Sequence, residues 1–344
     1  MKALQYREIG SEPEIVDIPT PTPGPGQVRL RVSAAGACHS DVFVMGLPTE
    51  AYGFGLPLTL GHEGAGVVDM VGAGVSDDIV GESAVVYGSW GCGRCPRCAS
   101  GAENYCARAG ALGIMPPGLG APGSMAEYVI VDSPRHLVSL GDLDPVASVS
   151  LTDAGLTPYH AIKGSLDVLS PGSTAVVIGV GGLGHVAIQI LRALTATQVF
   201  ALDVDDTKLS LAREVGAHAV FASSPEAANS IRTLTGGAGV SAVFDFVASQ
   251  ATIDVGKAVM GTGGHQVLVG VGMGNLAVGL LAGPYEWQVR APYWGSIPEL
   301  YEVLELARLG LVNVETEVFS LDAAPSAYRR LHEGSLKGRA IVVP

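Results

Sequence analysis

The stretch Ala175-Val-Val-Ile-Gly-Val-Gly-Gly-Leu-Gly184 decides the fold of the second half of the chain. It opens with an apolar run typical of a buried strand, has glycine at all three positions of the pattern G-x-G-x-x-G, and leads into a segment of helical period at 185–194. In such a turn the glycines permit a tight bend, a close approach of pyrophosphate to the backbone at the helix N-terminus, and close helix–strand packing. The residues expected to hold a dinucleotide are Gly179, Gly181, Gly182, Leu183 and Gly184.

An acidic residue further along the chain extends this motif. Asp203 lies 19 positions beyond Gly184, at the end of the next apolar strand, 198–203. Its carboxylate would accept hydrogen bonds from the adenosine ribose and its charge would repel a 2′-phosphate, so we expect NAD rather than NADP. A glycine-rich turn in a nucleotide-free α/β domain is the alternative, but the strand, the helix and the acidic residue together favour a dinucleotide site.

Around this motif, short apolar strands alternate with helical segments. Further strands are expected at 242–246 and 266–270, and a helix is expected at 208–216. Strands that alternate with helices predict a parallel, doubly wound sheet of the Rossmann type, and hence an α/β fold class for this half.

The first part of the chain has a different character. It is rich in glycine and proline, with short β-type runs such as 27–33 and 64–71, which predicts an irregular all-β domain. The last fifty residues contain a helical stretch, 297–309, and end in an apolar strand, 339–344, which we expect to return to the first domain. The predicted domains are 1–153 together with 294–344, and 154–293.

Composition narrows the possible functions. Of 344 residues, 48% are hydrophobic and only 15% are charged, as expected for strands buried on both faces. The net charge of −13 would repel a phosphate backbone, so neither nucleic acid nor a membrane surface is an expected partner. The most apolar stretch, 174–191, is interrupted by glycines, and the N-terminus lacks the apolar core of a signal peptide. We therefore expect a cytoplasmic protein without a transmembrane helix.

Four of the five cysteines form a cluster, Cys92-x2-Cys95-x2-Cys98-x7-Cys106. Four thiolates from one short glycine-rich loop can surround Zn²⁺ as a closed, structural site. Two disulfides are the alternative, but cysteines at this spacing rarely bridge without strain, and nothing indicates export. A DNA-binding zinc module is disfavoured because the acidic, glycine-rich surroundings offer no recognition helix.

The fifth cysteine, Cys38, lies in Gly36-Ala-Cys-His-Ser-Asp41, and Gly61-His-Glu-Gly64 follows downstream. One thiolate, one imidazole and a carboxylate could hold a second metal and leave a position open for substrate. Taken alone, Cys38 and His62 would be explained as well by packing in a core.

Together these features resemble the zinc-dependent medium-chain alcohol dehydrogenases, and the match runs in order over essentially the whole chain. Gly61-His-Glu-x-x-Gly66-x5-Gly72-x2-Val75 is similar to that family's zinc signature, and the four-cysteine lobe and the dinucleotide motif are two further markers. More closely, the chain resembles bacterial secondary-alcohol dehydrogenases, a group that includes phenylacetaldehyde-reductase-type enzymes active on aryl ketones and bulky carbonyls. The resemblance implies a GroES-like catalytic domain that carries two zinc ions, one catalytic and one structural.

The resemblance also assigns ligands to the catalytic zinc. Cys38 and His62 match the first two ligands, and Asp153 matches the third, which is a cysteine in the animal enzymes and an aspartate in many bacterial ones. One thiolate fewer should make the zinc a harder Lewis acid. Glu63 is expected beside the metal or as a transient ligand, and Asp41 is expected to orient the His62 ring. A helix N-cap is the alternative role for Asp153.

The expected proton path departs from the family pattern. Ser40 matches the hydroxyl that hydrogen-bonds the bound alcohol and begins a relay through the nicotinamide ribose. The animal enzymes end this relay with a histidine three positions further on, where this chain has Phe43. We therefore expect the relay to end at His39 or in solvent. His39 also matches a position that contacts cofactor phosphate.

Two further sets of residues follow from the resemblance. Those expected near the cofactor are His39, Thr157, Lys208, Val269, Val271, Trp294 and Arg339. Those expected to line the substrate pocket are Phe43, Tyr52, Phe54, Leu119, Tyr293 and Trp294. Such walls favour apolar or aryl groups over polyols, although one or two of these aromatics could instead fill a domain interface.

The expected activity is zinc- and NAD-dependent hydride transfer between secondary alcohols and ketones, with some aldehyde reduction. A polyol or sugar dehydrogenase is the nearest alternative, and a non-catalytic nucleotide-binding protein on this fold is a remote one. We expect a homodimer or homotetramer that assembles through the Rossmann domain at Asn275 to Val289, whose apolar edge would otherwise be exposed.

Overall fold

The computed structural model describes residues 1–344 and divides into two compact units. The first unit consists of Met1–Asp153, Ser296–Arg308 and Val314–Pro344, and the second consists of Ala154–Gly295 and Leu309–Asn313. The return to the first unit thus lies two residues beyond the expected position, and a short later segment belongs to the second unit. That segment is held by Gln189, whose side chain bonds both the N–H of Asn313, at 2.9 Å, and its carbonyl, at 2.7 Å.

Sixteen strands and ten α-helices are numbered in chain order. The strands are β1 (Lys2–Tyr6), β2 (Glu14–Asp17), β3 (Val28–Ala37), β4 (Leu58–Thr59), β5 (Glu63–Val71), β6 (Ser83–Val86), β7 (Tyr128–Val131), β8 (Leu137–Ser139), β9 (Thr174–Ile178), β10 (Gln198–Asp203), β11 (Ala219–Ala222), β12 (Val240–Asp245), β13 (Met260–Leu268), β14 (Gln288–Arg290), β15 (Thr316–Ser320) and β16 (Arg339–Val343). The helices are α1 (His39–Met45), α2 (Pro96–Ala99), α3 (Pro145–Ser148), α4 (Leu156–Lys163), α5 (Gly184–Leu194), α6 (Asp206–Glu214), α7 (Pro225–Leu234), α8 (Gln250–Val259), α9 (Ile297–Arg308) and α10 (Ala324–His332).

The second unit contains a six-stranded sheet in the order β11-β10-β9-β12-β13-β14, and every neighbouring pair is parallel. The helices α5 to α8 connect its strands, so the predicted Rossmann-type sheet is confirmed. The strand expected at 266–270 begins earlier, at Met260, because the chain turns directly from the C-cap of α8 into β13.

The first unit is mainly β-structure. Its larger sheet has the order β15-β16-β3-β5-β6-β8, with β7 paired to β3, and a smaller sheet has the order β2-β1-β4. The C-terminal strand β16 runs antiparallel to β3, with Ile341 opposite Gly36. This register brings the last residues of the chain beside the segment that leads to Cys38.

One buried apolar cluster of the first unit lies beneath α1 and α10. We refer to it as the α10 core, and its members include Tyr6, Val44, Leu60, Met125, Tyr328 and Leu331. A separate cluster in the second unit includes Val176, Ile178, Leu202 and Val243 from the central strands of the parallel sheet. None of the ten helices has both the length and the apolar character needed to cross a membrane.

Candidate functional site

Cys38 is positioned by the junction between β3 and α1. It is the N-cap residue of α1, with extended backbone angles, and only 4% of its surface is exposed. Its N–H donates to Asp41 Oδ2 at 3.1 Å, so the fourth residue of this segment closes the first turn of the helix. The short sequence Cys38 to Asp41 therefore fixes both a thiol and a carboxylate at one helix end.

His62 and Glu63 lie where the chain enters β5. Gly61, with φ of 94°, makes the preceding turn, and a Cβ there would lie 2.7 Å from the Met125 side chain. Only glycine fits this turn, and it directs His62 inward, where the side chain is 2% exposed. His62 Nδ1 lies 2.8 Å from Asp41 Oδ1. Because an ionised carboxylate only accepts, Nδ1 is the donor, and Nε2 is the ring nitrogen that is left to bind a metal.

Asp153 completes this cluster from a third segment. It is the C-cap residue of a 3₁₀ turn, 149–152, and the N-cap of α4 is Gly155, so the N-cap alternative for Asp153 is wrong. Asp153 Oδ2 lies 3.4 Å from Cys38 Sγ and 3.7 Å from His62 Nε2. With Glu63, the ligand atoms of these residues lie within 4.8 Å of one another, and all are buried.

Arg339, at the start of β16, lies against the same cluster. Its guanidinium donates to Asp153 Oδ2 at 2.8 Å and forms an ion pair with Glu63. Ser150 Oγ donates to Glu63 Oε2 at 2.8 Å, and Gly36 leaves the space that the Glu63 carboxylate occupies. Arg339, which the resemblance to the family places near the cofactor, is 2% exposed and lies between the carboxylates of Glu63 and Asp153.

The electrostatics of this cluster suit a cation. Burial lowers the pKa of His62, but the charge of Asp41 and hydrogen bonds to Asp153, Asp41 and Cys38 raise it, and the pKa ends well above its usual value. The pocket therefore favours positive charge at the position that His62 Nε2 faces. One thiolate, one imidazole and one carboxylate are the donor types that bind Zn²⁺ in catalytic sites.

The four remaining cysteines form the second metal cluster. None of them is disulfide-bonded, which rules out the disulfide alternative. The sulfurs of Cys95 and Cys98 lie 3.4 Å apart, and Cys92 to Cys98 and Cys95 to Cys106 are each separated by 3.9 Å. Four thiolates at these separations repel one another unless a cation lies among them, and four sulfurs with no open position are typical of structural zinc.

The glycine-rich turn after β9 has the geometry that a dinucleotide requires. Gly179 has φ of 86°, and a Cβ at Gly184 would lie 1.8 Å from the Gly179 carbonyl oxygen, so α5 packs directly on the turn. A Cβ at Gly181 would meet nothing within 4 Å, which leaves room in front of the backbone. No side chain caps α5, so its first N–H groups can bind phosphate.

Asp203 at the end of β10 holds this turn in place. Its Oδ2 accepts the N–H of Val180 at 2.7 Å and its Oδ1 accepts the N–H of Asp205 at 3.1 Å. Each carboxylate oxygen retains a lone pair for a ribose hydroxyl. Asp205 is the N-cap of α6 and accepts the N–H groups of Thr207 and Lys208, a role that the sequence analysis missed.

Comparison with known proteins agrees with this geometry. Residues 24–142 match the alcohol dehydrogenase GroES-like domain, and residues 182–308 match the zinc-binding dehydrogenase family. An NAD-dependent alcohol dehydrogenase of Sulfurisphaera tokodaii is 35% identical over 100% of both chains. The alcohol dehydrogenase of Aeropyrum pernix, a crystal structure, is 33% identical over 100% of both chains, with a TM-score of 0.92. The chain belongs to the zinc-type medium-chain alcohol dehydrogenases.

Two further proteins similar to this chain have names that state a substrate. Acetophenone reductase of Geotrichum candidum, solved in complex with NAD, is 28% identical over 100% of this chain and 97% of that one, with a TM-score of 0.87. A D-arabinose 1-dehydrogenase (NADP(+)) of Saccharolobus solfataricus is 33% identical over 97% of this chain and 95% of its own. The predicted enzyme class, the fold class, NAD and two zinc ions are confirmed for this alcohol dehydrogenase.

The remaining predicted residues of the dehydrogenase lie in separate parts of the fold. In α1, Ser40 is half-buried with its Oγ 3.7 Å from Cys38 Sγ, His39 is exposed, and Phe43 is 38% exposed. Tyr52, Phe54 and Leu119 pack against the α10 core of the first unit. The other predicted residues belong to the second unit and are Thr157, Lys208, Val269, Val271, Tyr293 and Trp294.

Within the second unit, Tyr293 and Trp294 form an edge-to-face pair with centroids 6.1 Å apart. Trp294 has φ of 54°, a conformation that non-glycine residues rarely adopt and that is enriched at functional sites. Thr157 is 7% exposed on α4, whereas Val271 is 48% exposed. The Val269 N–H donates to the Asp245 carbonyl at 2.8 Å.

A buried charge network beside the cysteine lobe was missed by the sequence analysis. Glu103, 3% exposed, lies between Cys98 and Cys106 and accepts from Gly91 N–H at 2.8 Å, His136 Nε2 at 2.8 Å and Arg135 Nε at 2.9 Å. Burial raises the pKa of Glu103, but the bonds from His136 and Arg135 outweigh it and lower this pKa from 4.5 to about 2. In the sequence, the only indication of this network is a glutamate between two cysteines of the cluster, and a glutamate at such a position predicts no particular contact.

Proposed function

We propose that this alcohol dehydrogenase interconverts secondary alcohols and ketones, accepts aldehydes as well, and favours substrates with apolar or aryl groups. The observation that carries the proposal is the buried cluster of Cys38, His62 and Asp153, whose donor atoms are suited to bind a metal. Cys38 is also the N-cap residue of α1, the helix that contains Phe43. Tyr52 and Phe54 lie in the same unit, in edge contact with centroids 5.8 Å apart. Apolar and aromatic walls bind aryl and alkyl groups better than polyols.

The bound cofactors and the protein side chains have different roles in the proposed reaction. Zinc held by Cys38, His62 and Asp153 would stabilise negative charge on the substrate oxygen, and bound NAD would supply or accept the hydride. The three ligand residues, Glu63 and Arg339 are buried, so they exclude water from the metal position and hold fixed charges around it. Arg339 neutralises Glu63, which limits the net negative charge beside the substrate.

Ser40 is proposed to carry the proton. Its hydroxyl is half-buried beside Cys38 and can hydrogen-bond a substrate oxygen bound next to the thiolate. Phe43, one turn further along α1, has no proton-carrying group. The exposed His39 is the adjacent titratable side chain, and we propose that the proton leaves through it or directly to solvent.

A sugar or polyol dehydrogenase is the second candidate, favoured by the similarity to a D-arabinose 1-dehydrogenase. Such an enzyme needs several hydroxyl-binding side chains in its pocket. The predicted pocket residues of the first unit are instead Phe43, Tyr52, Phe54 and Leu119, of which only Tyr52 has a polar group, and its hydroxyl donates to the Gly55 carbonyl at 3.2 Å.

The test follows NADH oxidation with acetophenone before and after dialysis against a zinc chelator, with NADPH and D-arabinose assays in parallel. We expect activity with acetophenone and NADH that is lost on chelation and restored by Zn²⁺. Asp153→Asn should reduce zinc from two ions per chain to one, with Asp78→Asn, at an exposed position, as the matched control. Turnover that survives zinc removal would contradict the zinc role, and faster turnover of D-arabinose than of acetophenone would favour the second candidate.

We also propose that the enzyme assembles as a homodimer or homotetramer through Asn275 to Val289. The short strand β14 is the last strand of the six-stranded sheet, so one of its edges has no neighbour within the chain. Leu280 and Leu281 in the preceding loop are 79% and 89% exposed, and Tyr285 is 62% exposed. An open sheet edge beside exposed apolar side chains supports self-association. A monomeric mass by light scattering at micromolar concentration would refute the assembly.

A further inference from the structure

A hydrogen-bonded chain runs from the catalytic metal cluster into the α10 core. Tyr328, on α10, donates its hydroxyl to Asp41 Oδ2 at 2.7 Å, and Asp41 Oδ1 accepts from His62 Nδ1 at 2.8 Å. Tyr328 is 3% exposed, Asp41 is fully buried and His62 is 2% exposed. We propose that Tyr328 is a positioning residue of the metal site, which fixes the Asp41 carboxylate so that His62 presents Nε2 to zinc.

The hydrogen bonds of Asp41 show how this positioning works. Oδ2 receives two donors, the Cys38 N–H at 3.1 Å and the Tyr328 hydroxyl, which come from different elements of the first unit. Together they fix the rotation of the carboxylate and leave Oδ1 directed at His62. Without Tyr328, only the longer backbone bond holds Oδ2, and the carboxylate can rotate away from the His62 ring.

Tyr328 is well placed to remain a donor. Burial and the neighbouring charge of Asp41 both raise the pKa of its hydroxyl well above the usual value, so the group stays protonated. The ring itself packs in the α10 core with Val44 and Leu331. The hydroxyl position is therefore set by the packing of α10 rather than by a mobile side chain.

Two effects of opposite sign could follow from losing this hydroxyl. Loss of orientation weakens metal binding, because ligand geometry is no longer prepared in advance. Loss of a donor also leaves more negative charge on Asp41, which would make His62 a stronger ligand. Orientation should dominate, because the bond from Tyr328 is the shorter of the two at Oδ2 and the fully buried carboxylate is out of contact with bulk solvent.

The inference rests on the proposed role of His62 as a zinc ligand, so the experiment tests that role first. Zinc content and chelator competition are measured on the wild-type protein and on Tyr328→Phe, with the four-cysteine zinc as an internal reference. We expect two zinc ions per wild-type chain, and in Tyr328→Phe about a tenfold weaker affinity at the site that contains His62, the lower end of the range for partners of metal-ligating histidines. The visible spectrum of the Co²⁺-substituted protein should change at the same site.

Tyr6→Phe is the matched control. Tyr6 lies in the same α10 core and is fully buried, and its hydroxyl donates to the Met45 carbonyl at 2.9 Å and accepts the Gly10 N–H at 2.7 Å. Removing this hydroxyl should lower stability without changing zinc affinity. Tyr328→His, which offers a ring N–H, should recover part of the affinity that Tyr328→Phe loses.

A double-mutant cycle with Asp41→Asn tests whether Tyr328 changes zinc affinity through the Asp41 carboxylate. Tyr328→Phe should change zinc affinity little when residue 41 is asparagine, because Tyr328 acts through the carboxylate. Wild-type protein with only one zinc per chain would refute the metal site itself. Two zinc ions with unchanged or tighter binding in Tyr328→Phe, or loss of the fold in both Tyr328 variants, would refute the positioning role alone.

Discussion

Replacing Glu103 with glutamine should destabilise the first unit by about 3 kcal/mol. A pKa lowered from 4.5 to about 2 means that the fold prefers the ionised carboxylate over the neutral acid by roughly that amount, at about 1.4 kcal/mol per pH unit. Glutamine resembles the neutral acid, and its NH₂ group cannot accept from Gly91 or His136. Removing one partner of a buried charge network typically costs about 3–5 kcal/mol, which agrees with this value.

The assay is scanning calorimetry of the zinc-loaded protein at one fixed scan rate. For a unit of this size, about 3 kcal/mol corresponds to a decrease of roughly 6–12 °C in the transition temperature of the first unit. Glu50→Gln is the control, because Glu50 is exposed and its replacement should change stability by less than about 0.5 kcal/mol. The release of zinc from the cysteine lobe should also become faster in the Glu103 variant, because Glu103 anchors the Gly91 N–H beside Cys92.

The pH dependence gives a second, independent check. The pKa of Glu103 is lowered, so its contribution is complete above about 4.5 and is lost as the pH falls toward about 2. Burial lowers the pKa of His136, but its bonds to Asp132 and Glu103 raise it above 6.5, so its contribution is complete below 6.5 and is lost as the pH rises through the raised value. The network should therefore be strongest between these limits. A Glu103→Gln protein as stable as the control, or a stability difference that is the same at pH 3 and pH 6, would refute the reasoning.

Two predictions concern the nucleotide site. Gly184→Ala should lower the transition temperature of the second unit, because the new Cβ would lie 1.8 Å from the Gly179 carbonyl oxygen. Gly181→Ala should leave that temperature unchanged, because its Cβ would meet nothing within 4 Å, and should weaken NADH binding. Calorimetry and NADH fluorescence titration check this pair, and equal stability losses would contradict it. Asp203→Asn, which keeps an acceptor for the Val180 N–H but removes the charge, should reduce the preference for NADH over NADPH by roughly 10–100-fold, measured as the ratio of kcat/KM values; an unchanged ratio would show that another group sets the preference.

The motifs that were predictable from the sequence are those contained in one continuous segment. The segment around the turn after β9 predicts a strand, a glycine-rich turn and a helix. The structure has the strand at Thr174–Ile178 and the helix at Gly184–Leu194. The strand that ends in Asp203 was expected at 198–203 and is found there. Local chemistry decides such segments, since glycine at a positive φ angle and apolar residues of regular period leave few other conformations.

Element ends and helix caps were less predictable. The strand β3 extends four residues beyond the expected end at 33, because its later residues pair with Gly64 and Glu63 of β5. Asp205 caps α6, but an aspartate before a helix cannot be told from one in an open turn until the backbone is known. In both cases the deciding hydrogen bond is made by atoms whose position depends on the fold.

The layer of residues behind the metal clusters was the least predictable, and the reason is sequence separation. Tyr328 lies 287 residues from Asp41, and Arg339 lies 276 residues from Glu63, so no spacing rule connects the two members of either pair. Ligand types follow from zinc chemistry and recur at recognisable spacings, but a hydrogen-bond donor to a buried carboxylate can be supplied by any element that passes near it. In this chain β16 and α10 supply these donors because the C-terminal segment returns to β3. The order of elements in the sheet, rather than any motif, therefore determines which residues support the site.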